Sequence, residues 1–204
     1  MCYSAESSFG TFLFVLAICI YLWIQGNNLQ KTVSIILFFI SLMQVIEGCI
    51  WLNIKCSQMN KILSFFIPVL LYLQPIIALA TVFYFKVGLL SDTIYKKLLF
   101  LWGLMLPFFL YWTKSTMGKC TTIGKNGHLA WPSQPVTKLD IVMNIFYIIA
   151  IGTAIITLNT PWYGIFYGII AAISYVVSKS TYGRSWGSMW CHFVNILAVA
   201  ALFI

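Results

Sequence analysis

Glu47 and His192 have the most chemistry to offer in this chain, because each is the single ionisable residue of its kind deep inside an apolar stretch. A carboxyl group beside an imidazole can hold a proton, a cation or an ion pair. Counted from the nearer end of its stretch at ~1.5 Å per residue, Glu47 lies roughly 10 Å, and His192 roughly 9 Å, inside the same membrane face. Gln44 precedes Glu47 by three residues and Asn195 follows His192 by three, so each pair shares a helix face. We therefore expect Glu47 and His192 to meet across one polar seam. Asn144 and Gln74, on two further stretches, would complete a cavity opening to that face. The same amides can instead join helices through interhelical hydrogen bonds, worth ~0.6 kcal/mol on average.

Gln74-Pro75 and Pro68 bear on that choice. A proline inside a helix frees a backbone carbonyl one turn earlier, which either binds an ion or substrate or simply shapes the bundle. The segment Lys114–Lys138 holds Gly118, Gly124, Gly127-His128-Leu129-Ala130-Trp131-Pro132 and Pro135. Its aromatic and Gly/Pro content suits a compact flap at the interface: a lid carrying His128 and Trp131 over the seam, or an anchor for the loop.

Other chemistries find less support. No His-x-x-x-His or Cys-x-x-Cys spacing occurs, so no metal site or cofactor is assigned to Glu6, Glu47, His128, Cys191 and His192. Seven-helix zinc hydrolases of the alkaline ceramidase type need several intramembrane histidines, and one is available. A retinal Schiff base needs a lysine in the last stretch, which has none. Phosphate-binding and dinucleotide motifs are absent.

Seven apolar stretches must position these residues, near Ser7–Ile24, Thr32–Ile54, Ile62–Phe85, Ile94–Thr113, Leu139–Leu158, Pro161–Ser178 and Trp186–Ile204. A chain 61% hydrophobic and 8% charged has too little polar surface to cover its apolar mass in water. The lipid bilayer is its solvent. Each stretch is expected to be helical, since unpaired backbone groups in lipid cost several kcal/mol. The expected fold is an all-α integral membrane bundle of seven transmembrane helices, one domain over residues 1–204. The residues before Ser7 lack a basic signal-peptide segment, so the first helix is expected to be retained.

The net charge of +8 comes from basic residues scattered through the links, without a stripe to bind nucleic acid. Alternation puts the N-terminus, the second-third link, the Lys114–Lys138 loop and the sixth-seventh link on one face, here the N-side. That face carries Lys55, Lys61, Lys114, Lys119, Lys125, Lys138, Lys179 and Arg184, against Lys31, Lys86, Lys96 and Lys97 opposite. The positive-inside rule leans slightly toward a cytosolic N-terminus. Cysteines provide a check. Cys19, Cys49 and Cys191 lie within spans as small apolar residues, whereas Cys2, Cys56 and Cys120 share the N-side. If that face is exoplasmic, a Cys56–Cys120 disulfide can pin the long loop; free thiols are the alternative.

The opening Met1-Cys2-Tyr3-Ser4-Ala5 with Ser8, then Met43, Glu47 and Trp51, Cys56 with Asn60, and Gln74-Pro75 carry a resemblance. They resemble landmarks of a family of uncharacterised polytopic membrane proteins of bacteria, algae and large DNA viruses. The likeness extends more loosely to Gly127-His128-Leu129-x-Trp131-Pro132 and Ser185-Trp186…Trp190-Cys191, and Tyr3 stands where that family has Trp. The resemblance implies one seven-helix unit and carries no activity.

Equal seven-residue links at Lys55–Lys61 and Lys179–Ser185 also fit a three-plus-one-plus-three plan like that of sugar and PQ-loop transporters, though no Pro-Gln motif is present. The leading expectation is a small transporter or channel-like protein binding an ion, proton or small molecule at Glu47. A non-transporting membrane binding or assembly protein, or a small-ligand receptor, stands second, and a membrane-embedded lipid hydrolase third.

Overall fold

A computed structural model describes residues 4–132, 138–195 and 197–204, with the side chains of 115, 138–140, 143, 161 and 191–194 outside the description. The protein is an all-α bundle. Its helices are α1 (Ala5–Gln25), α2 (Asn28–Leu52), α3 (Gln58–Phe85), α4 (Asp92–Leu104), α5 (Leu106–Thr116), α6 (Lys138–Ile156), α7 (Pro161–Tyr182), α8 (Trp186–Val194) and α9 (Leu197–Ala200). Five stretches are long and apolar enough to cross a membrane, and Asn144–Ile156 is a shorter apolar helix. Along α7, Ile165, Ile169 and Ile173 recur on one face, each more than half exposed. That stripe belongs in lipid rather than water.

Helix boundaries follow local chemistry. Ser4 caps α1 by accepting from the Ser7 N–H at 3.2 Å, and Asn27 with Gln30 forms a reciprocal capping box that starts α2 directly after Gly26. Ser57 caps α3, which continues unbroken through Pro68 and Pro75 to Phe85. Lys86 then takes a left-handed φ of 54° and ends the helix.

Two expected spans are interrupted. The fourth divides at Met105, with Pro107 in the first turn of α5, where its missing N–H is not needed. The seventh, expected as one run from Trp186 to Ile204, ends as α8 at Val194, turns at Asn195, and resumes as α9 and a final 3-10 turn. The long apolar stretch Trp162–Trp190 also contains a reversal. Gly183, at φ 51°, turns the chain so that Trp186 meets Tyr175 edge-on, and Trp190 Nε1–H donates to the Ala171 carbonyl at 3.2 Å. Thus α7 and α8 form an antiparallel hairpin.

The core falls into three clusters. The largest joins α1, α2, α3, α6 and α7 through residues such as Leu22, Leu37, Leu79, Leu158 and Tyr163. A second combines Met43, Ile50, Ile67 and Leu70 with Leu129 and Trp131 from the long loop. A third stacks Tyr72 between Trp102 and Phe109, with centroids at 5.4 and 4.2 Å, and docks the α4–α5 segment on α3. Away from the N-side, the α3–α4 and α6–α7 links are joined by the Leu89 N–H to Thr157 carbonyl bond at 2.6 Å and the Asn159 N–H to Val87 carbonyl bond at 2.8 Å.

Candidate functional site

Glu47 sits on α2 with no solvent exposure. Trp131 Nε1–H donates to its Oε1 across 3.1 Å. The tryptophan comes from the loop after α5, which enters the bundle rather than lying on its rim: Leu129 is wholly buried and Trp131 is 5% exposed. Gly187 of α8 makes this entry fit, because a Cβ there would come within 2.6 Å of the Trp131 ring. Gly48, beside Glu47, likewise admits the Phe9 ring of α1, which a Cβ would meet at 2.8 Å.

The loop is fastened at several points. Cys56 and Cys120 form a disulfide with a Cα–Cα separation of 5.5 Å, inside the ordinary range for such bonds. Next to it, the Thr121 N–H donates to Asn60 Oδ1 and Ser64 Oγ, each at 2.9 Å, and the Asn60 amide donates back to the Thr121 and Asn53 carbonyls. The short strands Thr122–Ile123 and Leu129–Ala130 pair antiparallel around a turn at Gly127, whose φ is 74°. Ser185 donates its hydroxyl to the His128 carbonyl at 3.2 Å, and the His128 ring meets Tyr182 edge-on at 5.1 Å. His128 and Trp131 thus belong to a plug held to α3 on one side and the α7–α8 turn on the other.

The polar residues named from the sequence divide into groups. Gln44 is fully buried one turn from Glu47 on the same face of α2. Gln74 is a clamp: its amide N–H donates to the Phe39 carbonyl at 3.2 Å, and its Oε1 accepts from the Tyr147 hydroxyl at 2.6 Å, so it joins α3 to α2 and α6. Asn144 is half-buried on α6. His192 lies in α8 with its side chain outside the description, so its expected pairing with Glu47 does too. Cys2, expected on the N-side, also lies outside it.

Asn195 stands not in a helix, as expected, but in the turn between α8 and α9, 4% exposed. Neither polar atom of its side chain has a hydrogen-bond partner among the described residues. Trp190 and Leu197 line a small cavity with Ile40 of α2. Ile40 stands on the face of α2 that carries Gln44, Glu47 and Trp51, roughly 10 Å along the helix from Glu47.

Other buried groups with no described partner include Trp51 Nε1, one turn beyond Glu47; Ser8 Oγ, next in sequence to the Phe9 that touches Gly48; and Ser188 Oγ, next in sequence to the Gly187 that touches Trp131. They belong to α2, α1 and α8, the helices that converge on Glu47, Gly48 and the Trp131 ring. Ser8 was visible only as a landmark of the resemblance, and the signal for Ser188 was only a small hydroxyl in an apolar helix, which is common and uninformative. Among the described residues, no three of His, Cys, Asp and Glu come together as a metal-binding group.

Comparison with models of known protein families, with curated proteins and with solved structures finds no match to this chain. Function must be argued from the site itself.

Proposed function

We propose that this membrane protein is a small transporter or channel-like protein that binds a proton or small cation at Glu47. The observation that carries this is the buried Glu47 carboxyl, met by Trp131, on a helix whose own Trp51 and whose neighbours' Ser8 and Ser188 hold buried polar atoms without a described partner. A buried polar group left dry costs about 1–3 kcal/mol. Several on helices that meet at one carboxyl therefore call for water or a polar ligand between those helices. The break at Asn195 adds support, since interrupted helices supply polar backbone to sites inside membrane bundles. In this arrangement Glu47 takes up the proton or cation and Trp131 closes the seam toward the N-side.

The disulfide supports an orientation as well. Structural disulfides persist on the oxidising side of a membrane, so the N-side is exoplasmic or lumenal, against the slight lean of the basic residues. The opposite face, with Lys31, Lys86, Lys96 and Lys97, is then cytosolic.

The test is flux of protons and monovalent cations in proteoliposomes. Glu47→Gln keeps shape and hydrogen bonding but removes titration, and should abolish flux with the fold intact. Asn195→Leu should leave thermal stability unchanged or higher while lowering flux. Equal flux through wild type and Glu47→Gln would refute the role of Glu47. A second reading, a non-transporting assembly or ligand-binding protein, draws on the fastening of the plug by Cys56–Cys120, Asn60 and Ser185. It predicts no flux from any variant.

A further inference from the structure

A cleft of about 300 Å³ runs between α6, α7 and α8. Gly152 and Ile155 form one wall, Gly168, Ala171 and Tyr175 the other, and Trp190 the floor. Small residues keep it open: a Cβ on Gly152 would meet nothing within 4 Å, and one on Gly168 only the end of Ile156 at 3.7 Å. Trp190 directs its only polar atom to the Ala171 carbonyl. The cleft opens sideways, since its rim residues Ile156 and Val176 are 50% and 63% exposed in membrane-facing positions.

Its dimensions select the occupant. From Tyr167 to Val176 the α7 wall rises ~14 Å at 1.5 Å per residue, about half of a ~30 Å hydrocarbon core. It therefore covers roughly one leaflet. A helix with side chains is about 10–12 Å across and cannot enter a slot between neighbouring helices, whereas an acyl chain can. The N-side end is positive. Lys179 lies one turn beyond Tyr175, with its ammonium 3.2 Å from the Tyr175 hydroxyl and 5.4 Å from the ring centroid. The α7–α8 hairpin carries Lys179 and Arg184 and no acidic residue, while α6 opens with one charge of each sign, Lys138 and Asp140.

We propose that this cleft holds an acyl chain of an anionic phospholipid from the N-side leaflet, with Lys179 binding the phosphate at its mouth. Tyr175 joins the two parts of the site, its ring bordering the chain and its hydroxyl steadying the ammonium. Apolar fit gives residence and the cation gives headgroup preference.

Native mass spectrometry of the full-length protein, delipidated and then exposed to phosphatidylglycerol or phosphatidylcholine with the same chains, tests this. One phosphatidylglycerol per chain should be retained, at least tenfold more tightly than phosphatidylcholine. Gly152→Leu, which fills the cleft, should weaken retention of both lipids tenfold or more. Gly168→Leu should do the same and covers the case in which the first variant misfolds. Lys179→Gln should bring the two lipids to parity while still holding a chain. The proposal is overturned by equal wild-type binding of both lipids, by undiminished retention in the folded cleft variants, or by a second copy of the chain occupying this face.

Discussion

Trp131 and Glu47, 84 residues apart, meet through an indole N–H···carboxyl bond of 3.1 Å with both side chains buried. A hydrogen bond to an ionisable group in low dielectric is strong, and its loss exposes the full cost of burying the partner. The contact joins a loop that the sequence places outside the membrane to the most chemically distinctive residue within it.

Trp131→Phe retains the aromatic packing and removes the donor. It should destabilise the protein by about 1–3 kcal/mol, read as a lower thermal midpoint in detergent. Combined with Glu47→Leu, the loss should be smaller than the sum of the two single changes. Additive losses would show that the two side chains are not coupled.

Gly187→Ala places a methyl group where the Trp131 ring lies, since the built Cβ is 2.6 Å from the ring. Overpacking of this kind costs about 1–3 kcal/mol. Trp131 should turn outward, with its fluorescence shifting to longer wavelength. An unshifted spectrum and unchanged stability would show that the loop does not enter the bundle beside α8.

Cys56→Ser should remove the cross-link between positions 64 residues apart. For a loop of that length the chain-entropy account gives about 4 kcal/mol. Non-reducing electrophoresis after maleimide tagging should show Cys56 and Cys120 protected in wild type, and Cys120 newly reactive in the variant. Tagging of both cysteines in unreduced wild type would exclude the bond.

Asn60→Ala should cost about 2–4 kcal/mol, because it strips acceptors and donors from the buried Thr121 backbone and the Asn53 carbonyl together. Hydrogen exchange should quicken first in residues 121–131. Slow exchange throughout that segment would contradict the anchoring role of Asn60.

For orientation, Lys125→Cys and Lys96→Cys place thiols on opposite faces. With the N-side exoplasmic, an impermeant reagent added to intact cells should label the first and spare the second. The reverse pattern would put the disulfide on the wrong side of the membrane.

The sequence made the bundle legible because lipid leaves a long apolar stretch no choice but helix. It also marked Glu47, since a carboxyl has no bland reason to sit there. It did not reveal that Glu47 meets Trp131, because an indole in a Gly/Pro-rich loop reads equally as an interfacial anchor, and only tertiary structure brings it inward. Asn60 was visible as a landmark without a role; its bonds to Thr121 cross a gap that no helical periodicity encodes. The break at Asn195 carries neither Gly nor Pro, so a continuous helix was the natural expectation. Pro107, by contrast, is a residue that starts helices, yet the fourth span was expected as one run and its division was missed. Gln74 was expected to line a cavity, and composition could not distinguish such a residue from the clamp between α2, α3 and α6 that it forms.

The Cys56–Cys120 bond also fixes a parity. Two cysteines can be joined only if they finish on the same side of the bilayer, so the chain between them must cross it an even number of times. With α3 as one crossing, the divided α4–α5 segment, long and apolar enough despite its break at Met105, would have to act as the other. The bond can close only after both have inserted, making it a covalent record of correct threading: a molecule in which α4–α5 slips back into water keeps its two thiols on opposite sides, permanently reduced with respect to each other.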